Sequence, residues 1–109
     1  MAWPENREAK IQPWKALYTE RIDFPPDSRF LQRAAEVGLE LKFIDGYSSE
    51  EIIEQGADCQ AVFLLHGRVT SRMIGELRSC RILARVGTGY DLIDAGAAAK
   101  AGVMVTNVP

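Results

Sequence analysis

Short apolar runs alternate with segments of helical spacing along nearly the whole chain, and that alternation restricts the fold more than any other feature. Residues 14–20 (WKALYTE) read as a short strand. Pro25 and Pro26 forbid a helix there, and Asp27 or Ser28 can cap the one that follows. Residues 28–38 place Phe30, Leu31, Ala34, Ala35 and Val37 at helical spacing, with Gly38 as a fitting C-terminal cap. Leu39, Leu41 and Phe43 alternate, as in a strand over 39–45. Ser48 with Glu51 three residues on makes a capping box for a helix that Gly56 ends. The nearly continuous apolar run 61–67 (AVFLLHG) fits a strand covered on both faces. Thr70 then caps a helix over 71–79, with Met73, Ile74 and Leu77 inward. Residues 81–87 (RILARVG) form the next strand, Asp94 caps an Ala-rich helix closed by Gly102, and 103–108 form a last strand.

Five strands separated by four helices imply parallel pairing through right-handed crossovers. The expected fold class is therefore α/β: a flavodoxin-like parallel sheet of about five strands with helices on both faces. At 109 residues the chain suits one domain, over 14–109, preceded by a polar leader over 1–13 with Trp3 tucked against it. Ligands of such sheets bind at the carboxyl ends of strands, which points to loops 20–27, 65–70 and 86–91.

Bulk properties exclude several function classes. A formal net charge of -2 gives no electrostatic support for nucleic-acid binding. No apolar run approaches the ~20 residues that span a bilayer, and the N-terminus has no apolar core of a signal peptide. Cys59 and Cys80 are too few, and wrongly spaced, for a metal site or disulfide framework, and each adjoins an apolar run. They read as buried free thiols of a reducing, cytoplasmic compartment.

Residues 86–94 (VGTGYDLID) hold the glycine turn between a strand and a helix. A dinucleotide fingerprint needs G-x-G-x-x-G, but Leu92 stands at its third glycine and Asp91 would repel a pyrophosphate. A plain tight turn is a second reading, since glycines allow positive φ. A small-anion site is the third, with backbone N–H groups of Thr88 and Gly89 open at a strand end.

The segment 86–109 resembles the D-isomer-specific 2-hydroxyacid dehydrogenases. Gly87, Gly89, Asp91, Ile93, Asp94, Ala98, Gly102, Val103, Val105, Asn107 and Pro109 fall on the family pattern of glycine turn, Ala-rich helix, strand and N-x-P. Residues 61–77 resemble its preceding strand, loop and helix, so the likeness is specific over 57–109 and only topological over 14–56. The resemblance implies a substrate domain of an NAD(P)-dependent oxidoreductase acting on a small 2-hydroxy or 2-oxo acid, of phosphoglycerate dehydrogenase or glyoxylate/hydroxypyruvate reductase type. It places the substrate carboxylate on backbone N–H groups of Thr88 and Gly89. It brings Leu65, His66, Gly67 and Arg68 over the same substrate and sets Asn107 near an interdomain cleft. NAD or NADP, and the family's arginine, glutamate and histidine, belong to a second domain. This chain is therefore expected to supply no catalytic residue, no cofactor contact and no metal ligand, and to be inactive alone. Full-length relatives of this type are expected to be homodimers, and the isolated domain to expose apolar surface and self-associate.

His66, the only histidine, suits general acid chemistry by type, but the resemblance puts it in the substrate loop. It reads as a passive loop residue or a substrate contact. Arg68 can steer an anion, whereas Arg85 reads as a solvated charge. Tyr90 either lines the cleft or packs over the turn. Asp91 pins the turn rather than pairing with Asp94 for acid–base work. Two other readings compete: a stand-alone flavodoxin-like module and a non-catalytic relative acting through interaction. A phosphorelay receiver would want an aspartate where Leu65 and His66 end the third strand, and a flavin module a hydroxyl-rich loop where the sequence has TERIDFPPD.

Overall fold

The computed structural model describes residues 13–87 and 92–107. It contains strands β1 (Lys15–Tyr18), β2 (Glu40–Phe43), β3 (Ala61–Leu64), β4 (Ile82–Arg85) and β5 (Met104–Asn107). Between them lie helices α1 (Ser28–Glu36), α2 (Ser49–Gly56), α3 (Ser71–Glu76) and α4 (Ala95–Ala101). All the strand pairs are parallel, in the order β2-β1-β3-β4-β5, so the fold is flavodoxin-like as expected. The leader over 1–12 lies outside the described residues.

Alternation along the strands assigns the helices to faces. A Cβ built at Gly56 of α2 would stand 3.3 Å from Leu17 and 3.8 Å from Val62, so α2 covers the Leu17 and Val62 face. Their chain neighbours Tyr18 and Phe63 point the other way, where Phe30 of α1 meets both rings at 5.5 and 5.2 Å. Helices α3 and α4 pack beside α2. Ile52, Met73, Ile74, Leu77 and Ala98 join Leu17, Val62, Leu64 and Leu83 in one core. Among the described residues helix α1 is the one helix on the opposite face, and Met104 on β5 stays 62% exposed.

Each helix begins where a side-chain oxygen meets an open backbone N–H. Asp27 accepts from Phe30 at 2.8 Å, Ser48 from Glu51 at 3.2 Å, Thr70 from Met73 at 3.3 Å and Asp94 from Ala97 at 2.9 Å. Of the two candidates for α1, Asp27 is the cap. Asp27→Ala should lower stability by about 1 kcal/mol, read as a drop in the urea midpoint, because the cap bond is lost without any core change. Gly38 and Gly102 take the left-handed φ values of 76° and 75° that close α1 and α4.

Most elements are shorter than their patterns, and in three of them the stop has a visible reason or geometry. Helix α3 stops at Glu76 because Leu77 turns out of helical geometry, with ψ 69°, while staying buried in the core. Strand β4 ends at Arg85, where Val86 and Gly87 bend away. Strand β3 ends at Leu64, because the next two N–H groups turn to a side chain described below.

Cys59 and Cys80 are free and buried. Burial pushes both thiols up to about 11, the Cys59 thiol with Lys42 opposing the shift and that of Cys80 with the Ile82 backbone opposing it. Neither should be alkylated by iodoacetamide at pH 8 in the native protein, and both should be in urea, as peptide mass would record. Rapid native labelling of either would contradict this packing.

Candidate functional site

The carboxyl ends of β1, β3 and β4 bring loops 20–27, 65–70 and the start of the glycine turn to one edge of the sheet. Glu20 organises that edge. It follows β1 after Thr19, has a positive φ of 60° and is fully buried. A side chain other than glycine held there stores about 1 kcal/mol of backbone strain or more. Its N–H donates to Gly46 O at 3.1 Å and its carbonyl accepts from Phe24 N–H at 2.8 Å, which holds the conformation.

The Glu20 carboxylate is saturated by the loop after β3. Oε2 accepts the backbone N–H of Leu65 at 2.8 Å and of His66 at 2.7 Å, and Oε1 lies 2.8 Å from His66 Nδ1. Thr19, also buried, donates its hydroxyl to Phe63 O at 2.8 Å beneath them. Burial works to raise the Glu20 carboxyl, but the N–H groups of His66 and Leu65 and the imidazole together outweigh it and hold it below its ordinary value. The carboxylate is thus an internal anion in the concavity made by the β3 loop. The N–H groups of Leu65 and His66 are already engaged, so a ligand must be met by other atoms of that loop.

Those atoms are the outer imidazole edge of His66 and the Arg68 guanidinium. The His66 side chain is 60% exposed. Its ring lies 6.0 Å from that of Tyr47, and with Arg68, Tyr47, Ser48 and Ser49 it lines an open cavity of about 450 Å³ at the start of α2. Gly67 is buried between them, where a Cβ would meet Leu64 at 3.2 Å and Tyr47 at 3.3 Å. Its part is close packing that lets the loop turn. Leu65 is half-buried.

The loop then runs on to the glycine turn. Val69 pairs with Ile93; its N–H donates to Leu92 O at 2.8 Å, and Asp94 N–H donates back to Val69 O at 2.9 Å. On the entering side Val86 N–H donates to Leu64 O at 2.7 Å. Both ends of the turn are therefore stitched to β3 and its loop. Thr88 and Gly89, together with Tyr90 and Asp91, lie outside the described residues. Arg68 also lines the 340 Å³ cleft beside Thr70, Ser71 and Asp94, so it stands between the His66 cavity and the flank of the glycine turn.

Asn107 lies elsewhere. It is paired in register with Arg85, and both line an apolar cavity of about 410 Å³ on the α1 side, with Tyr18, Phe24, Phe30 and Phe63. Arg85 departs from the solvated charge that its sequence context suggested. It is half-buried and folds back over Gly87, where an added Cβ would stand 3.0 Å from Nη1. The bend at Val86 leaves room for this. Among the described residues no group of three or more His, Cys, Asp or Glu side chains could hold a metal ion, and no helix is long and apolar enough to cross a membrane.

Glu20 is the residue that sequence reasoning missed. Its signal was an acid closing the strand pattern over 14–20, at the start of one of the loops that the strand-end rule singles out.

A doubly wound parallel sheet with a histidine- and arginine-bearing loop laced to a glycine turn defines an α/β domain of flavodoxin-like type. The chain belongs to the D-isomer specific 2-hydroxyacid dehydrogenase family, whose catalytic-domain model matches residues 16–109. That match reaches into β1, well upstream of the motifs that carried the resemblance. D-3-phosphoglycerate dehydrogenase of Sus scrofa is 33% identical over 96 residues, which are 87% of this chain and 17% of that protein. Glyoxylate reductase of Korarchaeum cryptofilum is 40% identical over 63 residues, 57% of this chain and 19% of that one. The chain thus spans less than a fifth of the length of either relative. Among solved structures, NAD+-bound 3-phosphoglycerate dehydrogenase of Entamoeba histolytica superposes with a TM-score of 0.74 at 25% identity, covering 90% of this chain and 33% of that one.

Proposed function

We propose that this domain holds the 2-oxo or 2-hydroxy acid substrate of an NAD(P)-dependent dehydrogenase, of phosphoglycerate dehydrogenase or glyoxylate/hydroxypyruvate reductase type. The observation that carries the reading is the lacing of Val69 to Leu92, Ile93 and Asp94, which makes the β3 loop and the glycine turn one rim at the carboxyl edge of the sheet. In this reading the backbone N–H groups of Thr88 and Gly89 receive the substrate carboxylate, and His66 and Arg68 border it. Fixed backbone donors suit a carboxylate because they need no reorganisation when the charge arrives.

A dinucleotide does not fit the same turn. Leu92 stands where the third glycine of a fingerprint would let helix and strand approach, and its carbonyl is bound by Val69. The nicotinamide, which supplies or accepts the hydride, therefore belongs to another domain, and this chain's work is to bind and orient the acid. The names of the relatives, D-3-phosphoglycerate dehydrogenase and glyoxylate reductase, support a 2-oxo acid and leave its substituent open.

The test is a longer form of the chain that extends into a cofactor-binding domain. It should oxidise NADH or NADPH in the presence of glyoxylate, hydroxypyruvate or phosphohydroxypyruvate. Absence of turnover with every 2-oxo acid and both cofactors would contradict the proposal.

A further inference from the structure

We propose that the opposite edge of the sheet carries a second anion site, built around Arg78 and Arg81, for a phosphate group that is free or esterified on a small molecule. The site does not depend on the substrate role proposed above.

It is a cavity of about 350 Å³ at the amino ends of β3, β4 and β5, lined by Gln60, Arg78, Ser79, Arg81 and Gly102 beside the buried Cys80. The loops of the candidate substrate edge leave the other ends of β3 and β4. The two edges therefore stand a strand's length apart, about 13 Å.

The local fold aims donors into this cavity. Helix α3 stops at Glu76, and Cys80 N–H returns to Leu77 O at 3.1 Å. The tight turn so closed has Arg78 and Ser79 at its centre, and among the described residues neither N–H has an acceptor. Arg81 N–H donates to Gln60 O at 2.7 Å, which ties the turn to the start of β3. The Gln60 side chain is oriented in turn: Oε1 accepts the Lys15 N–H at 2.7 Å. Its NH2 end is left with one long contact, 3.4 Å to Asp58 O.

The charges favour an anion. Arg78 and Arg81 make no ion pair among the described residues, whereas Lys15, Arg21, Arg33 and Lys42 each have a carboxylate partner. No carboxylate lines the cavity, and Asp58, two residues before Gln60, is already held by Lys15 and Lys42. Lys100 in the last turn of α4 offsets the partial negative charge of the helix end that borders the cavity. Two guanidinium groups, a hydroxyl, a carboxamide and two turn N–H groups offer more donors than the two oxygens of a carboxylate can take. A phosphate presents more oxygens, and each planar guanidinium can meet a pair of them. Both arginines are exposed, so salt screens the attraction.

The test is a titration of the 15N-labelled 109-residue chain at low ionic strength with inorganic phosphate, glycerol phosphate and acetate, followed in the amide spectrum. Inorganic phosphate should give saturable shifts at Arg78, Ser79, Arg81 and Gly102, with a dissociation constant on the order of 1 mM. Affinity should fall about tenfold in Arg78→Met and in Arg81→Met, and acetate should bind at least about tenfold more weakly than phosphate. Unchanged shifts elsewhere in the spectrum would report that both variants fold. Glycerol phosphate binding at least as tightly as inorganic phosphate would support an ester as the ligand, and weaker binding the free ion. Shifts that rise linearly without saturation, equal affinities for acetate and phosphate, or unchanged affinity in both variants would overturn the site. So would saturable phosphate shifts confined to residues 67, 68, 88 and 89.

Discussion

Glu20→Ala is expected to lower the unfolding free energy by about 2–4 kcal/mol, a large part of what a domain of this size has. The substitution strips the acceptor from two backbone N–H groups at the end of β3 and from the His66 ring, and it leaves the strained φ of 60° in place. Glu20→Gly should be milder than Glu20→Ala by about 1 kcal/mol, because glycine relieves that backbone. Glu20→Gln should be mildest, since one oxygen can still serve both N–H groups. Urea denaturation would rank the three, and an unchanged midpoint in Glu20→Ala would contradict the role given to the carboxylate.

The same carboxylate sets part of the acid response. Its folded value lies below its ordinary 4.5. Its stabilisation is therefore complete above the ordinary value and is lost as pH falls through the depressed folded one. Asp58, held down to about 2 by hydrogen bonds from Lys42 and Lys15, titrates in an overlapping window. It is 54% exposed, so its ion pairs contribute little. The difference between wild type and Glu20→Gln isolates Glu20: it should be greatest near neutrality and shrink as pH falls below the ordinary carboxylate range.

Leu17→Ala is expected to cost about 2–5 kcal/mol. Leu17 is completely buried on β1, between β2 and β3 and under α2. Its Cδ2 is one of two leucine methyls that a Cβ at Gly56 would meet first; the other belongs to Leu77. Gly56 lets α2 lie that close, so trimming Leu17 opens a cavity the helix cannot fill without moving. Thermal and urea unfolding should both register the loss. A cost below about 1 kcal/mol would mean that α2 settles onto the sheet and that the packing is looser than the contacts imply.

Much of this architecture was legible because the strong signals agreed. Alternating periods fixed the number and type of elements, and Thr70, Ser48 and Asp94 marked helix starts that the structure places at those residues. The alternation of strands and helices then implied the parallel pairing that the sheet shows. The ends of β3 and α3 were not legible, because they depend on tertiary partners. Leu65 and His66 continue an apolar run, yet their N–H groups leave the ladder for a carboxylate 45 and 46 residues away. Leu77 continues a helical pattern but packs into the core from outside the helix.

The site was legible in part. The motif around the glycine turn carried the family, and the strand-end rule pointed to loops that the structure gathers at one edge of the sheet. Its polar interior was hidden because a lone glutamate in TERIDFPPD looks like any surface acid until the chain folds it under the loop after β3. Arg85 was misjudged for a related reason: strand position alone does not reveal that Gly87 leaves space for the guanidinium to fold back.

The central claim is that this edge receives a carboxylate on the backbone of the glycine turn. Its most direct test is a glyoxylate titration of the chain followed in the amide 1H–15N spectrum. The account predicts saturable shifts greatest at Thr88 and Gly89, with smaller ones at Gly67 and Arg68. Saturable shifts centred instead on Tyr18, Phe30 and Phe63 in the α1-side cavity, or no saturable shift at residues 88 and 89, would contradict it.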